Sequence, residues 1–216
     1  SCQGNKILIM NNFYFFLSLL SHWIRGRNPI QEIFLSEKTI LDIGYGEGKV
    51  LQKNRERGYG IDINTTMIRG LQKEGFHVKE GNVTNIPYED SFFDVVHCSN
   101  IIEHLMPNDA QKMFLEIKRV LKPGGKIILI TPMPKTVWNT FGHVKPYPPM
   151  AIRKLFRTVS LEAFDSIQGL QIKNIFYYGT WASNRATFFI STLFANIAPS
   201  LWAGSHWMMI KKDEKR

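Results

Sequence analysis

Cysteine is scarce in this sequence: its 216 residues include two, Cys2 and Cys98. Two cysteines so far apart exclude a disulfide framework and a cysteine-based metal site. We therefore expect a protein of a reducing compartment and assign it to the cytoplasm.

Long hydrophobic runs are also missing. The two most apolar stretches, residues 13–24 and 188–203, are interrupted by polar residues, and both fall short of the roughly 20 residues that span a bilayer. We expect packed helices there rather than membrane spans. Peripheral contact with a membrane surface is the alternative that these stretches leave open.

Acidic residues are outnumbered by basic ones. Lys and Arg total 27 against 18 Asp and Glu, which gives a formal net charge of +9. This balance favours anionic partners such as phosphate, nucleic acid or acidic lipid, although a basic surface without a dedicated partner has the same composition.

The order of elements predicts an α/β protein. No internal repeat occurs, and short apolar runs alternate with helical patterns, which is typical of one sheet covered by helices. We expect a single domain over residues 1–216, with its core at residues 38–131. Strands are predicted at residues 39–43, 59–63, 76–79, 92–99 and 126–131, and helices at residues 49–57, 64–74 and 109–121.

The remaining segments are predicted to decorate this core. Residues 1–37 form an N-terminal helical segment, and residues 132–205 form a lid and inserts before a last strand. Five prolines in residues 132–149 mark the lid as irregular. The later elements are a helix over 150–164, a strand over 171–178, a helix over 185–197 and the last strand over 206–212.

A glycine-rich turn follows the first strand. Asp42 ends that strand, and three alternate glycines, Gly44, Gly46 and Gly48, lead into a helix. Such a turn lets the backbone approach a ligand closely. A dinucleotide fingerprint would have its third glycine at Lys49, so a nicotinamide cofactor is disfavoured.

Two further polar positions follow neighbouring strands. Asp62 ends the second strand, where a carboxylate can accept hydrogen bonds from both hydroxyls of a ribose. Asn82 and Val83 follow the third strand, where a side-chain amide and a backbone N–H can pair with an adenine edge. Taken alone, each position is also typical of a helix cap or a turn.

Together these segments resemble the class I S-adenosylmethionine-dependent methyltransferases, in particular the methyltransferase type 11 group. Four motifs carry the resemblance in order: ILDIGYGEG, GIDI, GNVTNIPYEDSFFDVVHCSNIIEHL and VLKPGGKIILITP. The resemblance implies a Rossmann-like three-layer α/β sandwich. Its seven-stranded, mostly parallel sheet would have the order 3-2-1-4-5-7-6 with an antiparallel last strand.

The resemblance also implies S-adenosyl-L-methionine as the cofactor. The glycine turn would wrap its methionine part, Asp42 would hold its ammonium group through water, and Asp62 would bind the ribose. Asn82 stands where an aspartate is common, but an amide oxygen still accepts from the adenine amino group. The implied cofactor-binding residues are Asp42, Gly44, Tyr45, Gly46, Gly48, Asp62, Ile63, Asn82, Val83 and Ser99.

The reaction of this family is an in-line displacement at a sulfonium methyl group, in which positioning does most of the work. A base is needed when the acceptor loses a proton as it attacks. We predict His104, after the fourth strand, and His143, in a segment resembling an HxRxY/F motif of many relatives, as catalytic candidates. The alternative for each is a histidine that holds its loop by hydrogen bonds.

Glu103 and His104 also resemble part of a Glu-x-x-Glu-His metal cluster of some relatives. Here the first position of that motif is Asn100. One carboxylate and one imidazole make a poor magnesium site, because hard cations prefer several oxygen ligands. We therefore expect no metal ion.

The methyl acceptor is expected to lie under three aromatic, apolar segments, residues 11–35, 132–149 and 179–205. An acceptor linked to a lipid or a glycan carrier fits such a roof, and basic residues of the lid and the next helix would contact its phosphate. The alternative is a lid that only excludes water, beside a solvated helix face. The residues in question are Trp23, Trp138, Trp181, Trp202, Lys145, Arg153, Lys154 and Arg157.

The sequence therefore predicts methyl transfer to oxygen or nitrogen of a small-molecule, glycan or lipid-linked acceptor. RNA methylation is an alternative because of the net charge of +9, but no RNA-binding motif and no Asn/Asp-Pro-Pro-Tyr/Phe tetrapeptide is present. A cofactor-binding partner protein without catalysis is the other alternative.

Overall fold

The computed structural model describes residues 38–157, 164–179, 191–192 and 194–214. Seven strands and five helices are named below in chain order, and two short 3-10 helices, Ile102–His104 and Val137–Asn139, lie between them. The strands are β1 Ile40–Ile43, β2 Gly58–Asp62, β3 His77–Glu80, β4 Phe93–Ser99, β5 Leu121–Pro132, β6 Leu170–Gly179 and β7 Ala203–Lys212. The helices are α1 Lys49–Lys53, α2 Thr65–Lys73, α3 Pro107–Val120, α4 Pro149–Leu155 and α5 Pro199–Trp202.

The strands form one sheet in the order β3-β2-β1-β4-β5-β7-β6. The pairs β1–β2, β1–β4, β2–β3 and β4–β5 are parallel, and β7 is antiparallel to both β5 and β6. The predicted fold class, strand order and antiparallel last strand are confirmed.

Both faces of the sheet are covered, which explains why its central strands are almost continuously apolar. On one face Leu41 packs in a cluster with the buried side of α3, whose buried residues Met113, Phe114 and Ile117 recur at helical spacing. On the other face Ile40 packs with Trp207 in a second cluster. The result is the three-layer arrangement that the resemblance implied.

Two predicted helices end earlier than expected. The helix predicted over 49–57 ends at Lys53, because Asn54 leaves helical geometry and its side chain amide donates to the Val50 carbonyl. The helix predicted over 150–164 ends at Leu155, whose carbonyl accepts from the Ile167 N–H as the chain returns.

Two strands are longer than predicted. β5 begins at Leu121 instead of residue 126, because Leu121 already pairs with Phe93. Gly124, with a φ of +75°, then lets the chain bulge before the pairing resumes at Lys126 opposite Val95. β7 begins at Ala203 instead of residue 206, where it pairs with the end of β6.

Some predictions lie outside the described residues. These are the N-terminal segment 1–37, with Trp23, and residues 180–190 of the insert, with Trp181. Within the described part, no helix combines the length and apolarity needed to cross a membrane. The division of the chain into one domain with a lid stays a prediction.

Candidate functional site

A pocket of about 380 Å³ lies at the carboxyl ends of β1 and β4. In open α/β sheets, ligands bind in the crevice outside the carboxyl ends of the parallel strands. The pocket brings together the glycine turn, the end of β4 and two residues of α1. Its lining residues are Asp42, Gly44, Tyr45, Glu47, Lys49, Val50, His97, Ser99 and Asn100.

The glycine turn has a backbone that only glycine adopts easily. Gly44, Gly46 and Gly48 have φ values of +63°, +49° and +68°, all in the left-handed region. The Gly44 N–H donates to the Ile61 carbonyl of β2 at 2.9 Å, which fixes the turn to the sheet. A Cβ at Gly46 would meet no atom within 4 Å, so open space lies beside this exposed glycine.

Asp42 is buried and paired with a histidine that sequence reasoning missed. Asp42 and His97 are register partners on β1 and β4, and the Asp42 Oδ1 lies 2.7 Å from the His97 Nδ1. This pairing compensates the burial of the carboxylate, which is 3% exposed. The alignment of the two strands is the signal that identifies His97, and it is absent from the sequence alone.

Asp62 ends β2, next to β1. Its Oδ1 accepts a hydrogen bond from the Asn64 N–H at 2.9 Å, and Asn64 in turn caps α2 as predicted, accepting from the Thr66 and Met67 N–H groups. Ile63 beside it is 75% exposed. Asp62 is not among the residues that line the pocket, and it does not serve as the cap of α2. Its role toward the ribose stays a prediction.

Tyr45 turns its side chain inward, beneath β2. The ring packs so closely on Gly60 that a Cβ there would lie 2.6 Å from it. Burial, together with the Asp62 carboxylate, raises the pKa of Tyr45 to about 12. The side chain supports the turn, so only the Tyr45 backbone is available to a ligand.

Asn82 lies in a tight turn after β3. Its amide oxygen accepts from both the N–H and the Oγ1 of Thr84, each at 3.0 Å. This oxygen is therefore already engaged, and an adenine contact by Asn82 or Val83 stays a prediction that relies on their N–H groups. The neighbouring backbone is tied to α3 by Arg119, which donates to the carbonyls of Ile86 and Tyr88.

Ser99 and Asn100 form the exit of β4. Asn100 is not a glycine but has a φ of +54°, and its N–H donates to the Ile130 carbonyl of β5 at 2.9 Å. The left-handed residue turns the chain from the pocket into the 3-10 helix Ile102–His104. The predicted catalytic residue His104 thus lies on the segment that leaves the pocket.

His104 and His143, predicted separately, lie together beside Glu103. The two imidazole rings meet edge to face with their centroids 4.7 Å apart. The His104 Nδ1 is 2.9 Å from the Gly142 carbonyl oxygen, and the His143 Nδ1 is 2.5 Å from that of Val137. We call Glu103, His104 and His143 the rim cluster.

Glu103 anchors this cluster from below. It is fully buried, and its Oε2 accepts from the Thr131 Oγ1 of β5 at 3.1 Å. Burial raises the pKa of Glu103 against the opposing effect of the two histidines. Its backbone carbonyl accepts from the Val144 N–H at 2.8 Å, so the predicted lid is fastened to the exit of β4.

A larger cavity, of about 710 Å³, lies beside the edge strand β3 and is lined mainly by aromatic and apolar residues. It shares no residue with the pocket at the glycine turn. It lacks the glycine turn and the buried carboxylate that a cofactor with charged groups would require. We therefore assign the functional site by its chemistry rather than by cavity size.

Comparison with known proteins agrees with this geometry. The model of the methyltransferase domain family matches residues 41–129. "Uncharacterized methyltransferase YdaC" of Bacillus subtilis is 30% identical over 146 residues, which cover 63% of this chain and 76% of YdaC. The tRNA (carboxymethyluridine(34)-5-O)-methyltransferase of Arabidopsis thaliana is 32% identical over 105 residues, 48% of this chain and 24% of that protein.

The chain thus spans about three quarters of YdaC and about a quarter of the Arabidopsis enzyme. Among solved structures, a SAM-dependent methyltransferase from Archaeoglobus fulgidus superposes with a TM-score of 0.60 at 18% identity, over 93% of this chain and all of that one. That likeness supports the fold. With the family match and the coverage of YdaC, it follows that the chain belongs to the methyltransferase domain family and is a class I S-adenosylmethionine-dependent methyltransferase.

Proposed function

We propose that this enzyme methylates an oxygen or nitrogen atom of a small-molecule, glycan or lipid-linked acceptor bound between the pocket and the rim cluster. One observation carries the proposal. The segment that leaves the pocket at Asn100 continues directly into Glu103 and His104, and His143 of the lid packs on them. The residues that bind the cofactor and those that bind the acceptor would therefore lie at the same edge of the sheet.

S-adenosyl-L-methionine supplies the methyl group, and the pocket at the glycine turn would hold its methionine part. The open space at Gly46 would accept the methionine part against the backbone of the turn. Asp42, held by His97, would face the ammonium group through water, and Asp62 would accept from the ribose hydroxyls. Ser99 would offer backbone groups near the methyl-bearing end.

The rim cluster has the chemistry to contact an acceptor. Because the Nδ1 of His104 and of His143 each faces a carbonyl oxygen, each neutral ring is assigned the Nδ1–H tautomer. The lone pair is then on Nε2. Either Nε2 would accept the proton that a hydroxyl or amine loses as it attacks.

The surface near the lid supports an acceptor with an apolar body and an anionic group. Trp138 is 61% exposed and Phe141 is fully exposed, and Lys145 and Lys154 are exposed nearby in sequence, on the lid and on α4. Exposed aromatic side chains of this size are typical of binding surfaces. The phosphate of a lipid or glycan carrier would contact these lysines.

The assignment of the cofactor residues is tested by calorimetric titration with S-adenosylmethionine and its demethylated product. We expect wild type to bind with micromolar affinity and Asp62→Ala to lose binding, since the ribose hydroxyls lose their acceptor. Asp109→Ala removes an exposed carboxylate at the start of α3 and serves as the matched control. Equal affinities of wild type and Asp62→Ala would overturn the assignment.

The acceptor class is tested by transfer of a radioactive methyl group to lipid extracts, small-molecule fractions and total RNA. We expect label in the lipid or small-molecule fractions. RNA methylation is the second candidate, supported by the activity of the Arabidopsis relative and the net charge of +9. Label in RNA, with RNA affinity that falls steeply with salt, would replace the first candidate.

A further inference from the structure

The rim cluster combines three side chains from two distant parts of the chain. Glu103 and His104 lie on the 3-10 helix after β4, and His143 comes from the lid. One potential ligand atom from each lies within 4.8 Å of the others. A bound ion with metal–ligand distances of about 2.0–2.2 Å needs these atoms somewhat closer. His104 is exposed, so a small rotation of its ring can close the gap.

Glu103 supplies the second observation. Its side chain is 0% exposed, and its Oε1 has no hydrogen-bond partner among the described residues. None of the ion pairs found in that part of the chain includes Glu103. A buried carboxylate oxygen without a partner is costly. A cation beside Oε1 would satisfy it, while the bond from Thr131 keeps the other oxygen in place.

The two histidines each have the backbone contact that metal-binding histidines usually have. Histidines that bind a metal usually donate their other ring N–H to a carbonyl or carboxylate, which fixes the tautomer and the ring. His104 and His143 both have a backbone carbonyl at Nδ1. Their Nε2 atoms are therefore the nitrogens with a lone pair for an ion.

We propose that Glu103, His104 and His143 bind one divalent transition-metal ion, with zinc as the best match. Two imidazoles and one carboxylate suit Zn²⁺, Fe²⁺ or Co²⁺, whereas Mg²⁺ requires mainly oxygen ligands. Three protein ligands are also the number found at catalytic rather than structural zinc sites, where a further position stays open. The sequence argument against a metal counted one imidazole, because it had no means to bring His143 next to Glu103.

The open position gives the ion a role toward the acceptor. It would hold an acceptor oxygen and lower its pKa, so that the rim cluster would act through the ion rather than as a free base. This part rests on the proposed function. Metal binding itself does not, because it requires neither cofactor nor acceptor.

The experiment is a titration of the full chain, stripped with a chelator, with ZnCl₂ and separately with MgCl₂. We expect one equivalent of Zn²⁺ to bind, and Mg²⁺ to bind at least 100-fold more weakly. With CoCl₂, an imidazole-ligated ion of low coordination number should give a visible absorption band. Titration with S-adenosylmethionine in the same samples tests the cofactor pocket separately, so failure of one proposal does not imply failure of the other.

Variants assign the ligands. Glu103→Gln, His104→Gln and His143→Gln should each weaken Zn²⁺ binding by roughly tenfold or more, and the cobalt band should change or vanish. His77→Gln, which alters an exposed histidine stacked on Tyr59, is the matched control and should bind as wild type does. Retained cofactor binding shows that a variant is folded. Wild type without stoichiometric binding, or a triple variant that binds as well as wild type, would overturn the proposal.

Discussion

At the scale of single residues, the backbone of Gly44 lies so close to Ile101 that an added Cβ would come within 2.2 Å of its Cδ1. Gly46, two residues on, has a similar left-handed φ but open space around the corresponding position. The two glycines therefore separate two effects of an added side chain, steric overlap inside the protein at Gly44 and left-handed backbone strain without overlap at Gly46.

We predict that Gly44→Ala lowers the free energy of unfolding clearly more than Gly46→Ala does. Gly46→Ala should incur mainly the left-handed backbone strain, about 1 kcal/mol, and should also weaken cofactor binding, because the methionine part of the cofactor is proposed to lie against this turn. Urea unfolding and calorimetric titration of both variants measure the two effects. Equal stabilities would show that Ile101 moves aside without cost.

The site residues differ in how far the sequence could predict them. The glycines and the strand-ending carboxylates Asp42 and Asp62 could be predicted, because each belongs to a short motif whose spacing is visible in the sequence. His97 and the meeting of Glu103 with His143 depend on strand register and on the path of the lid, which no local pattern contains. Asn82 was predicted from its position in the sequence to contact adenine, but its amide oxygen accepts a hydrogen bond within its own turn.

At the scale of elements, Arg119 of α3 holds the loop between β3 and β4. Its guanidinium forms a two-point contact with Glu116, at 2.9 and 2.7 Å, and a further bond to Asp90 at 2.8 Å. The Glu116 Oε2 also accepts from the Ile86 N–H at 2.8 Å. One arginine thus fixes the loop that follows the predicted adenine-binding residues.

We predict that Arg119→Lys destabilises the protein by about 1–2 kcal/mol although the charge is kept, because an ammonium group cannot make the forked contact. Hydrogen exchange of the amides of residues 84–91 should become faster. Lys112→Gln changes an exposed cation on the same helix and is the control. Unchanged exchange in Arg119→Lys would mean that the loop is held by its apolar contacts alone.

Strands and helices were predicted well where the hydrophobic pattern of the sequence matches the face that the structure buries. The five strands of the core and α2 with its Asn64 cap follow from apolar runs and capping residues. The end of α4 did not follow, because it is set by a return of the chain, the Ile167 N–H to Leu155 carbonyl bond. Such long-range bonds have no signature in a short window of sequence.

At the scale of the whole molecule, His206 makes stability depend on pH. It lies on β7 opposite Thr131 and is 0% exposed, and a contact with the Tyr147 backbone only partly offsets the effect of burial on its pKa. Burial lowers the pKa of His206 to about 4 from 6.5. Between these two pH values the unfolded chain binds a proton that the folded protein does not, so stability is lost as pH falls through this window.

We predict that this histidine accounts for roughly 3 kcal/mol of the stability lost between pH 7 and pH 4. In His206→Gln the profile should be flatter over the same window, since no imidazole titrates. Urea unfolding of both proteins at pH 7, 5.5 and 4.5 gives the comparison, in which titration of the carboxylates cancels. Parallel profiles would contradict a buried neutral His206.

The position of β7 also determines the order in which the sheet can assemble. In the chain up to residue 132, the strands β1 to β5 pair only with one another. One edge of β5 stays unpaired until β7 is present. β6 comes earlier in the chain than β7 but has β7 as its sole neighbour among the described strands. During synthesis from the N-terminus, residues 170–179 therefore have no strand to join until residues 203–212 emerge. Completion of the sheet becomes one late step that closes two interfaces together, and until then the unpaired β5 edge is the surface most exposed to aggregation.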